Sequence, residues 1–314
     1  MKLDQARTVT AAFNLGASFV VTNLNDNGPG SLRQVIADAN VVPGANLITF
    51  QPDLTGIITL TTGEIAISDD ATIEGLGATV LAVSGNNASR IFTVAAGKTV
   101  AVDQLKLQNG FSSEPGGAIL NNGNLTISKS DLSNNQSTLT GSFNGGGAIA
   151  NADTGVLTVI DSSLSGNTGV TGGAINNQIG GATTIRNSTL SGNTGNGGGI
   201  FSRGTLTIET STLSGNVSTS DGGGIHAWDG ATTVMDSTIA SNTAASGGGG
   251  IAKGAGALMV LSSTLSATPP TAAAAGMAAV ACLIWAARCS SSIAQCRATG
   301  RRPTPAAGWT TTAR

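Results

Sequence analysis

Positive charge is scarce through most of this chain. Residues 1–266 hold 10 Lys and Arg against 17 Asp and Glu, a net charge of −7, compared with −2 for all 314 residues. Such an acidic balance argues against nucleic acid as a partner, because phosphate binding needs clustered cations. Cysteine is absent from the same stretch. The only three, Cys282, Cys289 and Cys296, are spaced by 7 residues and match neither a zinc pattern nor a disulfide framework. No confident membrane span is present either. The uncharged apolar run Ala272 to Ala287 has 16 residues, too few to cross a bilayer.

What is there is a repeat. A Gly-Gly turn closes on an isoleucine at Ile119, Ile149, Ile175, Ile200, Ile225 and Ile251, with gaps of 30, 26, 25, 25 and 26 residues. A second apolar anchor follows in each unit, at Leu132, Leu164, Leu190, Leu213, Ile239 and Leu265. Helical apolar spacing is absent from these units. Leu125-Thr126-Ile127, Leu157-Thr158-Val159 and Leu206-Thr207-Ile208 alternate with period two, which places Leu and Ile on one face of a strand and Thr on the other. One unit is too small to bury a core alone. Stacked units share a core and pair their backbones about 4.8 Å apart, which makes a parallel β-helix. Asn recurs three residues after the anchors, at Asn135, Asn167, Asn193, Asn216 and Asn242. Stacking predicts that they form an internal structural ladder, amide to amide. The functional alternative is a ligand-binding surface row. Runs such as Gly222-Gly223-Gly224 are read as turns, since no Lys-Ser/Thr follows them to complete a phosphate loop.

Residues 46–110 read as less regular first coils, with strand runs such as Ile57-Ile58-Thr59-Leu60 and Ile91-Phe92-Thr93-Val94. Before them, in 18–45, lies one amphipathic helix. Ser31 suits its N-cap, Leu32, Val35, Ile36 and Ala39 form its apolar face, and Pro43-Gly44 ends it. It is expected to cap the open end of the solenoid. The stretch Val20-Val21-Thr22-Asn23 through Ala37-Asp38-Ala39-Asn40 resembles the start of CSLREA-domain bacterial secreted proteins. The Gly-Gly-Ala-Ile and Leu-x-x-Asn elements resemble polymorphic outer membrane protein repeats, although this chain has Leu or Ile where those usually have Phe. The resemblance covers about residues 18–266. It implies an all-β fold, a single-stranded right-handed parallel β-helix of the pectin-lyase-like kind. It also implies export to the cell surface, the outer membrane or beyond.

Both ends break the pattern. The repeat stops after Leu265-Ser266, where Gly-x-Asn was due. Shifting a back-translation of Ala267 to Ala274 by one base restores Gly-Asn-Thr-Ala-Asn-Gly-Gly-Gly. This predicts a frameshift near residue 267 and an out-of-frame tail over 267–314, irregular or spuriously helical. A stack ending there is expected to expose its last strand edge, near Leu258–Leu265, and to aggregate. At the other end, Leu3 to Phe13 resembles the last strands of small Gly-rich β-repeats of bacterial surface proteins. Residues 1–17 are therefore read as a remnant of a preceding domain and linker, with any signal peptide lying upstream.

Residues with chemistry are few. Pectin-lyase-like enzymes need converging carboxylates for acid–base work or calcium. The only adjacent acidic pair here, Asp69-Asp70, reads as a solvated turn, and no Asn-Thr-Asp, Gly-His-Gly or Arg-Ile-Lys string is present. Asp161, Asn187 and Asp236 share one repeat position, which offers a weak calcium row or, more plainly, a polar exterior. Asn23 to Gly28 faintly suggests a calcium loop, but a turn before the helix suffices. His226, the only histidine, and Trp228 are candidates for weak glycan contact, with a variable turn site and an exposed turn indole as the plainer readings. No cofactor is expected. The preferred function is a non-catalytic surface rod, stalk-like or adhesin-like, touching extracellular glycans or other surface proteins. The alternatives are a polysaccharide lyase or glycoside hydrolase, recognisable by carboxylates gathered in one groove, and a gene fragment without present function.

Overall fold

A computed structural model describes residues 16–140 and 144–267, together with the short strands 282–284, 289–290 and 295–296. Among the described residues the chain forms a parallel β-helix of about nine turns with one helix. Its strands stack into sheets of 11, 15 and 9 strands. One regular coil shows the plan. Ile175–Asn177 lies in the third sheet, Ala182–Arg186 in the first, Thr189–Ser191 in the second, and the short Thr194–Gly195 on an edge beside the second. A Gly-rich loop then returns the chain to the third sheet.

The register is the one the repeat dictates. Ile119, Ile149, Ile175, Ile200, Ile225 and Ile251 are successive partners, as are Leu132, Leu164, Leu190, Leu213, Ile239 and Leu265. All twelve are buried, and none is more than 2% exposed. Stacking like on like lets every coil bury the same aliphatic set without new packing solutions. The Gly runs follow from the same repetition. A Cβ on Gly147 would lie 2.0 Å from the carbonyl oxygen of Gly173, and one on Gly173 would lie 1.9 Å from that of Gly198. Any side chain at this position would hold the coils apart.

The helix α1, Leu32–Ala39, begins where the sequence places it. The Ser31 side chain accepts from the backbone N–H of Gln34, and Leu32, Val35, Ile36 and Ala39 are buried. It packs on the strands Ser18–Val21, Asn46–Phe50 and Ile65–Ile67 at the N-terminal end of the stack. The loop before it is tied down by Asp26, whose carboxylate accepts from Arg33, from the backbone and hydroxyl of Thr61, and from those of Thr62. Burial works against this charge, yet the bonds from Arg33, Thr61 and Thr62 hold its pKa down at about 2.

At the other end two expectations change. Cys282–Ile284, Cys289–Ser290 and Gln295–Cys296 are short strands, not helix, and each pairs in parallel with the last regular coil. The edge expected to be free near Leu258–Leu265 is thus partly covered by the chain itself. The rest of the expected irregular tail, and most of the expected remnant at 1–17, lie outside the described residues.

Candidate functional site

The ladder asparagines are structural groups, each 0% exposed. The amide of Asn135 donates to Oδ1 of Asn167 at 3.0 Å, Asn167 to Asn193 at 3.0 Å, Asn193 to Asn216 at 2.9 Å, and Asn216 to Asn242 at 2.8 Å. The same Oδ1 atoms accept the backbone N–H of the preceding ladder residue, at 2.9–3.0 Å. A second donated bond runs back to the anchor carbonyls, as from Asn193 to Leu164 at 3.0 Å. These amides are consumed within the wall and offer nothing to a ligand.

Sequence reasoning missed two more ladders. Asn121, Asn151 and Asn177 form one at the end of the third sheet, with amide bonds of 2.7 and 2.9 Å. Ser130, Ser162, Ser188, Ser211, Ser237 and Ser263 form the other. Each of the last five hydroxyls accepts the backbone N–H of the preceding serine at 3.0–3.1 Å. The signal was an unbroken serine column two residues before each anchor.

The row Asp161, Asn187 and Asp236 has a backbone cause. These residues sit at the corner just before the ladder serine with φ of 50°, 46° and 48°, a left-handed conformation that Asp and Asn tolerate well. The carboxylate of Asp161 accepts from the amide of Asn187. Asp69 and Asp70 also have structural partners. Lys98 donates to Asp69 at 2.6 Å, and the backbone of Thr99 to Asp70 at 2.7 Å. The Lys98 bond holds the Asp69 carboxyl below its usual range. Among the described residues no three His, Cys, Asp or Glu side chains are grouped to hold a metal ion.

Two of the concave places among the described residues gather the candidate side chains. A surface groove of about 520 Å³ is lined by Lys129, Asp131, Asp161 and Asn187, with Thr79 of the loop 75–80 forming a wall. Strand register brings these residues together from separate coils; the repeat had already aligned Asp161 with Asn187, while Lys129, Asp131 and the Thr79 wall join them only in the structure. Asp131 lies 3.5 Å from Lys106. The second is a mainly apolar pocket of about 290 Å³, whose described walls include Asp221, His226, Trp228, Ala252 and Lys253. His226 is corrected from a turn residue to a strand residue of Ile225–Ala227, only 4% exposed. It packs edge-on against Phe201 at 5.1 Å and lies 5.5 Å from the Trp228 indole, and its Nδ1 is 2.8 Å from Oδ1 of Asn196. Burial lowers its pKa, against a raising pull from Asp221. His226 is therefore a wall, not an open contact. Trp228 is 46% exposed and is the accessible ring of the pair. The Lys253 ammonium donates to the carbonyls of Asp229 and Gly230 at 3.1 and 2.8 Å, and burial lowers its pKa, partly offset by Asp229.

No family model matches this chain, and no curated protein matches it. Among the described residues no helix is long and apolar enough to cross a membrane.

Proposed function

We infer that this chain is a non-catalytic rod, an exported stalk-like or adhesin-like segment of a bacterial surface protein. The observation that carries the reading is the continuity of the Asn and Ser ladders. They lock successive coils into one register and make a stiff, narrow body suited to spanning distance. The resemblance to CSLREA-domain and polymorphic outer membrane protein repeats supports export. Contact with extracellular glycans would be weak and multivalent, with the Trp228 face as a stacking platform. Replacing Trp228 by Ala is expected to remove about 0.5–1.5 kcal/mol per contact, a several-fold loss of retention on immobilised glycans.

One observation favours a second reading. Asp131 and Asp161 line the same groove, as a polysaccharide lyase or hydrolase would require. Incubation of the purified chain with pectin, alginate and chondroitin separates the two. The rod reading expects intact polymers. Release of reducing or unsaturated ends, lost in Asp131→Asn, would replace it with the enzyme reading.

A further inference from the structure

An Asn-Gly pair is a chemical weak point, because glycine has no side chain to shield its backbone nitrogen from the asparagine before it. This chain has five such pairs: Asn27-Gly28, Asn109-Gly110, Asn122-Gly123, Asn144-Gly145 and Asn196-Gly197. The fold treats them unequally. Within the solenoid the glycine N–H is committed at three of them. Gly110 donates to Oδ1 of Asn135 at 2.8 Å, Gly123 to Oδ1 of Asn121 at 3.1 Å, and Gly197 to Oγ of Ser218 at 3.1 Å. These three glycines are buried, and so is Gly145. Asn121 and Asn135 are ladder residues, so the side chains that lock the coils also shield two of the pairs.

Asn27-Gly28 lies outside that protection, in the loop that leads to α1. Asn27 is exposed, unlike the other four asparagines, and Gly28 is not buried. The Gly28 N–H has no hydrogen-bond partner among the described residues. A Cβ on Gly28 would meet nothing within 4 Å, so the space around this residue is open. The Asn27 side-chain oxygen accepts one long bond, from the Thr62 hydroxyl at 3.4 Å, and that hydroxyl also donates to Asp26 at 2.8 Å.

We propose that Asn27 is a modification site, converted spontaneously to aspartate and isoaspartate. The Gly28 nitrogen gives up its proton and attacks Cγ of Asn27. The N–Cγ bond forms, the Cγ–Nδ2 bond breaks, and the amide nitrogen takes up the proton and leaves as ammonia. A five-membered succinimide remains. Water opens it at Cγ to give aspartate, or at the backbone carbonyl carbon to give isoaspartate, whose chain runs through the side chain. No oxidant or reductant is required, and water is the one co-reactant. The consequence falls on the N-terminal cap. Either product sets a new carboxylate beside Asp26, the group that binds Arg33, Thr61 and Thr62. Two like charges then compete for the Thr62 hydroxyl. Isoaspartate also adds a methylene to the backbone between Asp26 and Ser31, the N-cap of α1.

The site goes beyond the surface-rod reading and does not depend on it. The test incubates the full chain in mildly alkaline buffer, folded and separately in urea. Peptide mass spectrometry and isoaspartate-specific methylation follow each Asn-Gly pair. In the folded chain Asn27 is expected to convert about tenfold faster than Asn109, Asn122 and Asn196, the rate equivalent of one retained hydrogen bond. In urea that preference should largely vanish. Circular dichroism establishes that Asn27→Gln folds, and this variant should show no conversion at residue 27. After ageing, the parent should lose hydrogen-exchange protection at the Thr61 and Thr62 amides, which donate to Asp26, while Asn27→Gln keeps it. An Asn27 that stays intact, or that converts no faster than the three shielded pairs, would overturn the proposal. So would a preference that persists unchanged in urea. Full protection at Thr61 and Thr62 after complete conversion would overturn the effect on the cap.

Discussion

The first coils and the regular coils solve the same problem by different means. Of the five ion pairs among the described residues, four lie before residue 132, and the fifth joins Arg186 to Glu209. Arg90, for instance, reaches Glu64, Ser112 and the carbonyls of Pro115 and Gly116, joining several strands through one side chain. The regular coils instead use neutral Asn and Ser columns, each bond a copy of the last. The difference teaches what periodicity supplies. Once coil length settles near 26 residues, one side chain at one position can satisfy its own turn and its neighbour's. Irregular coils lack such equivalence and need long, charged side chains that reach.

The comparison breaks most visibly in the middle of the ladder. Asn193→Ala removes the acceptor of the Asn167 backbone N–H and amide, as well as the donor to Asn216 and Leu164. Each stranded buried group costs about 1–3 kcal/mol, so a loss of about 3–5 kcal/mol is expected in urea unfolding. The charged cap should respond to pH instead. Asp26 has a folded pKa of about 2 against an ordinary 3.8. Its contribution is complete above pH 3.8 and is lost as pH falls through about 2. At about 1.4 kcal/mol per unit this amounts to about 2 kcal/mol, and Asp26→Asn should abolish that part of the acid dependence of melting. The smallest effect belongs to Arg186→Ala. Its side chain is 55% exposed, and exposed pairs contribute about 0–1 kcal/mol, so its unfolding midpoint should scarcely move.

Most of the fold was legible in the sequence because its register is written in apolar spacing. Ile119 to Ile251 and Leu132 to Leu265 can be aligned by eye, and that alignment is the strand pairing. The helix was legible from Ser31 and its four buried apolar residues. The Asn135 to Asn242 ladder followed from stacking alone. The Ser130 to Ser263 column was equally regular and went unread, since serine is common in both turns and exteriors. The groove was read only in part, through the shared repeat position of Asp161 and Asn187. Asp131 and Asp161 belong to different coils, and the wall at Thr79 depends on how one loop leans. The burial of His226 was hidden for the same kind of reason, because Phe201 and Asn196 enclose it only through coil stacking.

The central claim is that shared side-chain ladders, and not strand pairing alone, hold coil to coil. Native-state hydrogen exchange of the parent and Asn193→Ala measures this most directly. Protection should fall first and furthest at the amide of Asn167, which donates to Asn193, while the amides of the capping region around α1 keep their parent rates. A uniform loss of protection along the solenoid, or an unchanged Asn167 amide, would contradict the account.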